Sequence, residues 1–123
     1  MLLRQLDSVS AQAMDMPGMT GVAAKVILAA ADGLPEFLVR MFEVAPSGST
    51  GLHHNPQQHL FYFMAGTGHV VGNDGQEQPV ASGDLIFTAP DEFHQVVNDD
   101  TENVLRWFDV VGPFGSEITA ETT

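Results

Sequence analysis

The sequence predicts an all-β protein whose sheet closes into a single sandwich or barrel, and three observations support this prediction. Short apolar runs rich in Val, Ile and Phe recur along the chain, and Gly, Pro, Asn and Asp separate them at brief intervals. No helical period of useful length appears after the first twenty residues. The 123 residues suit one domain, and their 44% hydrophobic content is enough for one core of ordinary size.

Seven apolar runs are predicted to form strands, and a short extended piece at 52–55 belongs with them. In chain order the runs are 22–28, 37–44, 60–64, 69–72, 85–88, 93–98 and 104–111. Turn sequences separate them, each with Gly for a positive φ or Pro for a preset φ. These turns lie at 32–35, 45–48, 73–75 and 82–84. The turn Asn73-Asp74-Gly75 predicts a hairpin between 69–72 and the next extended segment.

Two of the runs, 37–42 and 60–64, carry apolar residues at both odd and even positions, and therefore on both faces of a strand. Strands of this kind are covered on both faces, one by the barrel interior and the other by a second sheet or a partner subunit. A homodimer is therefore expected.

Residues 1–20 are weakly patterned and contain Met14, Met16 and Met19. We assign them to an N-terminal arm, either an edge strand or a short helix laid against the barrel or the partner. Residues 21–123 are assigned to the barrel.

Composition and charge exclude several classes of function. Sixteen acidic residues against four basic ones give a net charge of −12, which repels phosphate backbones, so no nucleic-acid partner is expected. The absence of Cys excludes disulfides, thiolate metal sites and cysteine nucleophiles. No signal-peptide pattern and no apolar stretch near the roughly 18 residues of a membrane span are present, so a cytoplasmic protein without membrane contact is expected.

Strand geometry can bring three of the five histidines together. Alternation puts His53 and Asn55 on one face of their segment and His54 on the other. A turn at Asn55-Pro56 lets the chain return, so that His59 can meet His53 across a short gap. His94 must arrive from a distant strand, which only a closed or sandwich-like sheet permits.

The segment around the first three histidines resembles the first conserved motif of the cupin superfamily, in which a glycine precedes His-x-His and a Glu and a Gly follow. Here Gly48 or Gly51 leads, His53 takes the first ligand position and Gly66 closes the motif. The stretch 61–68 also matches the strand and Gly-x-Gly that follow this motif.

The second cupin motif, a Gly-Asp turn followed by Pro, His and Asn, is similar to Gly83-Asp84, Pro90, His94 and Asn98. Both motifs occur in order, and the resemblance covers roughly residues 37–111.

Two departures from the family pattern concern the ligands. The usual Glu position carries His59, as in small bacterial cupins that hold metal with four histidines, and the second histidine of His-x-His is Asn55. A local bulge could instead turn His54 inward, because its spacing to His59 equals the longer variant of the motif. The choice between Asn55 and His54 is left open.

The resemblance implies a double-stranded β-helix, the cupin or jelly-roll barrel, with one divalent metal ion inside. His53, His59 and His94 would hold the ion, with Asn55 at the fourth position. Neutral imidazoles suit Mn, Fe, Zn, Ni or Cu and leave the ion its full charge. Open positions would remain for water, O₂ or a substrate oxygen.

The expected function is a small-molecule enzyme, an oxidoreductase of dioxygenase-like chemistry, with Phe61 and Phe63 lining a small apolar pocket. The alternative, which Asn55 motivates, is a non-catalytic small-molecule-binding cupin with weak or lost metal. A third possibility is a metal that only stabilises the barrel. No catalytic residue is assigned, because Asp91 and Glu92 lie on a loop where carboxylates are usually solvated.

Structural roles are expected for most other polar residues of interest. His69 and Asn98 are expected to pair or brace strands, and Arg40, in an apolar strand, needs an acidic partner or a path to solvent. Gln57 and Gln58 are equally consistent with rim contacts and with a simple connection.

Overall fold

The computed structural model describes residues 1–114, which form nine antiparallel strands and three short 3₁₀ turns. The strands are β1 Gln12–Ala13, β2 Thr20–Leu28, β3 Leu38–Ser49, β4 Gln58–Ala65, β5 Thr67–Val71, β6 Glu77–Ala81, β7 Leu85–Thr88, β8 Gln95–Asn98 and β9 Leu105–Gly112. The 3₁₀ turns are Leu6–Ser8, Ala30–Asp32 and Asn73–Gly75. The all-β prediction is confirmed.

The strands form one curled sheet in the order β6-β5-β8-β3-β9-β4-β7, with β2 paired to β3 and β1 to β2. Strand β3 has three partners: most of it pairs with β2 and β9, and Ser49 at its end pairs with Val97 of β8. This long strand joins the β7-β4-β9 side to the β6-β5-β8 side, so the curled sheet encloses an interior.

The seven predicted runs each overlap an observed strand, and Leu85–Thr88 has the predicted bounds. The second run continues through the predicted turn at 45–48 to Ser49, where Ser47 adopts a φ of 63°. Strand β6 is absent from the seven runs because it is polar at its start; of its five side chains only Val80 is buried.

The core lies inside the curl, around the only tryptophan. The ring of Trp107 stacks on Phe42 with centroids 5.3 Å apart and lies 5.7 Å from Phe63. Alternation along β9 buries Leu105, Trp107, Asp109 and Val111. One member of this inward row, Asp109, is therefore a buried carboxylate among apolar neighbours on its own strand.

The outer face of β4 and β7 carries an apolar surface that we call the outer patch (Leu60, Tyr62, Leu85 and Phe87). In the register of these strands Leu60 lies opposite Phe87 and Tyr62 opposite Leu85, and all four side chains are exposed. Residues 60–64 are apolar on both faces of their strand, and the outer patch is the face that the barrel interior does not cover. The homodimer stays a prediction.

The N-terminal arm runs along the edge of the sheet, where β1 pairs with β2. Arg4 anchors the beginning of the arm to the barrel. Its Nη1 donates to the carbonyl oxygen of Ile27 at 2.8 Å, and its Nη2 forms an ion pair with Asp32 at 3.1 Å. Across residues 1–114, no helix has the length and apolar character needed to cross a membrane.

Candidate metal centre

His53 and His94 are brought together by main-chain pairing. They form an isolated antiparallel bridge in which each backbone N–H donates to the carbonyl oxygen of the other, at 3.1 and 2.9 Å. Directly paired residues project their side chains together, and these two rings meet edge-on with centroids 4.3 Å apart. The bridge joins the loop after β3 to the segment before β8, so the closed sheet creates the pair.

His59 completes what we call the histidine cluster (His53, His59 and His94). It is the second residue of β4 and is buried. Its ring centroid lies 4.9 Å from that of His94 and 5.5 Å from that of Phe61, the next inward residue of the strand. The structure therefore brings the three predicted histidines to one place.

The rings of His53 and His94 are oriented through their Nδ1 atoms. Nδ1 of His53 lies 2.9 Å from the carbonyl oxygen of Gly51, and Nδ1 of His94 lies 3.1 Å from that of Glu92. A carbonyl oxygen only accepts, so each Nδ1 carries the proton and donates it. Each Nε2 consequently keeps its lone pair, which is the form of histidine that binds metal.

His59 is oriented by a buried carboxylate. Its Nδ1 lies 2.9 Å from Oδ1 of Asp109, whose Oδ2 accepts from Nη2 of Arg40 at 2.7 Å. Arg40 and Asp109 are direct partners in the β3–β9 register, and the guanidinium lies 4.8 Å from the ring centroid of Phe42. The expectation that Arg40 needs an acidic partner is confirmed, and the same partner fixes the third histidine.

The Nε2 atom of His94 is buried and has no hydrogen-bond partner within the described part of the chain. Burial, followed by the neighbouring rings of His53 and His59, lowers the pKa of His94 to about 4. The ring is therefore neutral at neutral pH, with a lone pair that no donor satisfies. An unsatisfied buried polar atom costs about 1–3 kcal/mol, which a bound cation would offset.

Asn55 lies beside the cluster, with Oδ1 3.0 Å from Nε2 of His59. Both atoms are acceptors when Nδ1 of His59 donates to Asp109. The contact therefore needs a proton on Nε2 as well, a rotated amide that donates through Nδ2, or a cation between the two atoms. Two ligand atoms about 2.1 Å from one ion and at right angles are about 3 Å apart, so the separation suits a shared metal.

The donor set fits a divalent transition metal, although the rings pack against one another. Within residues 1–114, no three or more His, Cys, Asp or Glu side chains already surround a common ion position. Three neutral imidazoles and an amide oxygen are ligands that such ions accept. To hold an ion the rings of the histidine cluster would have to separate, and the unpartnered Nε2 of His94 is the atom that would gain most.

His54 and His69 lie apart from the cluster. The half-exposed His54 lines the cavity, but its ring packs 4.5 Å from that of Phe93 and its Nδ1 lies 3.7 Å from Asp91. Nδ1 of His69 lies 2.8 Å from a carboxylate oxygen of Asp99, in the structural role expected of it.

Two other assignments have opposite outcomes. Asn98 braces the chain as expected, since its Nδ2 donates to the carbonyl oxygens of Val44 and Asn103 at 3.0 and 2.9 Å. Phe63 was expected to line the pocket, and this is wrong because its side chain is fully buried in the core against Trp107.

A cavity of about 280 Å³ opens beside the histidine cluster. Its walls are mainly apolar and come from the barrel interior and from the N-terminal arm. The apolar side chains around it are Met14, Met16, Pro17, Met19, Phe42, Leu52, Phe61, Val96 and Trp107. Gln57 and Gln58 are not among the lining residues; Gln57 precedes β4 and Gln58 is its first residue.

Sequence analysis missed two contributors to the site. Asp109 alternates with Trp107 and Val111 along β9, so the sequence places its side chain on the same inward face. Together with Arg40, which needs an acidic partner, this alternation could have identified Asp109. The methionines of the arm were noticed, but nothing in their spacing showed that residues 14–19 would reach the cavity.

Comparison with known proteins agrees with the two motifs. The family described as a cupin domain matches residues 40–111. The oxalate-binding protein of Thermotoga maritima is 32% identical over 62 residues, which are 50% of this chain and 50% of that protein. The match thus spans about half the length of the curated relative.

Solved structures extend the likeness to nearly the whole chain. The polyketide cyclase RemF from Streptomyces resistomycificus has a TM-score of 0.82 at 25% identity, covering 99% of this chain and 89% of that one. A predicted oxalate decarboxylase from Thermotoga maritima has a TM-score of 0.81 at 24% identity, covering 92% and 100%. A cupin-2 domain from Rhodospirillum rubrum has a TM-score of 0.78 at 21% identity, covering 98% and 82%. The predicted barrel is confirmed, and the chain belongs to the cupin family.

Proposed function

We propose that this cupin binds one divalent transition metal ion through His53, His59 and His94, with Asn55 at the fourth position, and acts on a small oxygen-bearing molecule in the adjacent cavity. The observation that carries the proposal is the buried Nε2 of His94, which has no partner while its Nδ1 is tied to a carbonyl oxygen. A neutral imidazole oriented in this way is ready to bind a cation.

The chain's own residues prepare the site before any ion arrives. Backbone carbonyl oxygens hold the Nδ1 protons of His53 and His94, and Asp109 holds that of His59. Mn, Fe, Zn, Ni and Cu all accept imidazole nitrogen, so the ligand set does not choose among them. When bound, such an ion supplies Lewis acidity toward a carbonyl or hydroxyl oxygen of the substrate.

The reaction that we propose first is a dioxygenase-like oxidation, which would make the protein an oxidoreductase. The names of its relatives point to oxygen-rich organic molecules, since one binds oxalate and another cyclises polyketides. A mononuclear centre beside an apolar cavity suits such a substrate, because the cavity holds its carbon skeleton while the cluster faces its oxygen atoms.

A second candidate is binding without turnover, and one observation favours it. Asp109 is the only carboxylate among the described residues that line the cavity, and both its oxygens are engaged by His59 and Arg40. No side-chain carboxylate there is therefore free to act as a general base.

The test is the metal content of purified His94→Ala, measured by elemental analysis beside the wild type. We expect about one ion per chain in the wild type and a loss of nearly all of it in the variant. His69→Ala is the matched control, because this histidine pairs with Asp99 outside the cluster and its removal should leave the metal in place. Full metal content in folded His94→Ala would refute the proposal.

Oxygen uptake then separates the two candidates. Metal-loaded protein is supplied with small diketones, catechols and thiols in turn. Uptake that depends on substrate and is lost in His94→Ala supports the oxidation, whereas binding of these compounds without uptake supports the non-catalytic alternative.

A further inference from the structure

We infer that the molecule bound in the cavity is mainly apolar, with its oxygen atoms gathered at one end, and is not a small dicarboxylate such as oxalate. The inference rests on the proposed function in one respect, since the oxygen-bearing end is the one that faces the histidine cluster. The observations that carry it are the chemistry of the walls, the size of the cavity and the distribution of charge.

The walls divide into a polar end and an apolar remainder. The histidine cluster, with Asp109 and Arg40 behind it, forms the polar end. Phe42, Phe61 and Trp107 supply flat aromatic surface on the barrel side. These rings are already buried, and the apolar lining that is still open to water includes Met16 and Leu52, which are 56% and 53% exposed. A ligand that covers these side chains removes them from water, so the cavity favours a carbon skeleton over a second polar group.

The size of the cavity exceeds what oxalate needs. The cavity has a volume of about 280 Å³. Oxalate has only six non-hydrogen atoms, so it would leave much of the apolar wall in contact with water. A molecule with about twice as many atoms would cover it.

The charge around the cavity also disfavours a dianion. Arg40 is the one Lys or Arg among the described lining residues, and its guanidinium is paired with Asp109 at 2.7 Å. The far carboxylate of a dicarboxylate would therefore face apolar side chains, and burying a charge there is costly. The net charge of −12 opposes the approach of a dianion as well.

The arm supplies a further part of the wall, through what we call the methionine turn (residues 14–19), whose Met14 and Met19 pack against the core cluster. Met19 N–H donates to the carbonyl oxygen of Met16 at 3.1 Å, which closes the turn. Gly18, with a φ of +82°, packs so closely on Gly51 that an added Cβ would lie 3.1 Å from the Cα of Gly51. The turn is thus held against the loop that carries His53, and its unbranched side chains can adapt to the shape of a ligand.

The experiment compares three probes on zinc-loaded protein by calorimetry: acetylacetone, 1-phenyl-1,3-butanedione and oxalate. The two diketones present the same pair of oxygens and differ by a phenyl ring. We expect the phenyl compound to bind at least tenfold more tightly than acetylacetone and more tightly than oxalate, because its ring is buried in the cavity. Tighter binding of oxalate, or a phenyl effect below about twofold, would overturn the inference.

A variant locates the effect in the methionine turn. Met14→Ser combined with Met16→Ser removes apolar wall and should weaken the phenyl compound about fivefold to tenfold while leaving acetylacetone unchanged. Met64→Ser is the matched control, because this methionine lies on β4 outside the cavity lining and should change neither affinity. Equal weakening of both diketones in the arm variant would contradict the role given to the turn.

A metal-independent probe keeps the inference separate from the proposed function. Naphthalene needs no ion, and its binding to metal-free protein can be followed by the fluorescence of Trp107, the single tryptophan. If the protein holds no metal but naphthalene binds, and binds more weakly in the arm variant, the proposed function fails and the apolar cavity stands. If zinc is bound and naphthalene is not, the inference fails and the metal site stands.

Discussion

The two faces of strand β4 differ in what covers them, although both are apolar in the sequence. On the inner face His59, Phe61 and Phe63 are 2%, 3% and 0% exposed, whereas on the outer face Leu60 and Tyr62 are 40% and 48% exposed. The inner side chains are covered by the protein's own core and cavity wall. The outer ones belong to the outer patch and have no cover within the described chain.

This difference suggests that the inner face of β4 contributes to the stability of the fold, whereas the outer face contributes to association between chains. The inner residues of β4 build the barrel core, and one of them, His59, belongs to the proposed metal centre. Changes on this face should therefore affect both folding and metal binding. Outer residues add little to the fold of one chain, and the homodimer that we predict would account for their apolar character. The predictions below test this division, and the first two each compare a change on the inner face with one on the outer.

The largest effect is expected from the pair Phe63→Ala and Tyr62→Ala, which are neighbours in sequence on opposite faces. Phe63→Ala should lower the free energy of unfolding by about 3–5 kcal/mol, because it opens a cavity beside Trp107. Tyr62→Ala should cost less than about 1 kcal/mol in the monomer, since its side chain is half in water. Urea denaturation at low protein concentration measures both, and similar losses would contradict the division.

The next effect concerns the two ion pairs of the β3–β9 strands. Asp109→Asn should lower the free energy of unfolding by about 2–4 kcal/mol, because it removes the negative charge that lies 2.7 Å from the buried guanidinium of Arg40. It should also weaken metal binding by about 10–100-fold through the loosened ring of His59.

The control for that change is Glu43→Gln, which breaks the partly exposed Arg106–Glu43 pair at 2.9 Å on the outer face. Exposed pairs contribute roughly 0–1 kcal/mol, so this variant should keep near wild-type stability and full metal affinity. Denaturation and zinc titration of the two variants side by side check the prediction, which equal losses in both would refute.

Substitutions in the outer patch are expected to change the unfolding free energy least but to have a clear effect on dimer formation. Leu60→Glu combined with Phe87→Glu should convert the expected homodimer into a monomer, because four carboxylates would then face each other across a two-fold interface. The unfolding free energy of the monomer should change by less than about 1 kcal/mol.

Analytical ultracentrifugation checks this prediction. Val26→Glu is the matched control, since Val26 is also an exposed apolar residue but lies on β2, away from the outer patch. A wild type that is monomeric at all concentrations, or a double variant that stays dimeric, would count against the outer patch as the dimer surface.

Sequence patterns predicted the strands and the histidines well, because both depend on local alternation and on turn residues. The seven runs overlap observed strands, and the two motifs placed His53, His59 and His94 together. The bridge between His53 and His94 could be expected only from the family resemblance, because it joins segments that are distant in the chain.

The contacts that could not be predicted from the sequence depend on the register between strands that are distant in the chain. Asp109 becomes a partner of Arg40 and His59 only through the pairing of β9 with β3 and β4. The methionine turn reaches the cavity through long-range contacts, among them the close packing of Gly18 on Gly51 and the pairing of β1 with β2. Neither contact leaves a local pattern, whereas the polar strand β6 was missed because its only buried residue, Val80, gives no alternation.

The central claim is that three imidazole rings share one ion through their Nε2 atoms, and X-ray absorption spectroscopy of protein loaded with one zinc per chain tests it most directly. We predict scattering from three imidazole rings with nitrogen at about 2.0–2.1 Å, falling to two in folded His59→Ala. A spectrum with one imidazole or none, or one unchanged in His59→Ala, would contradict the claim.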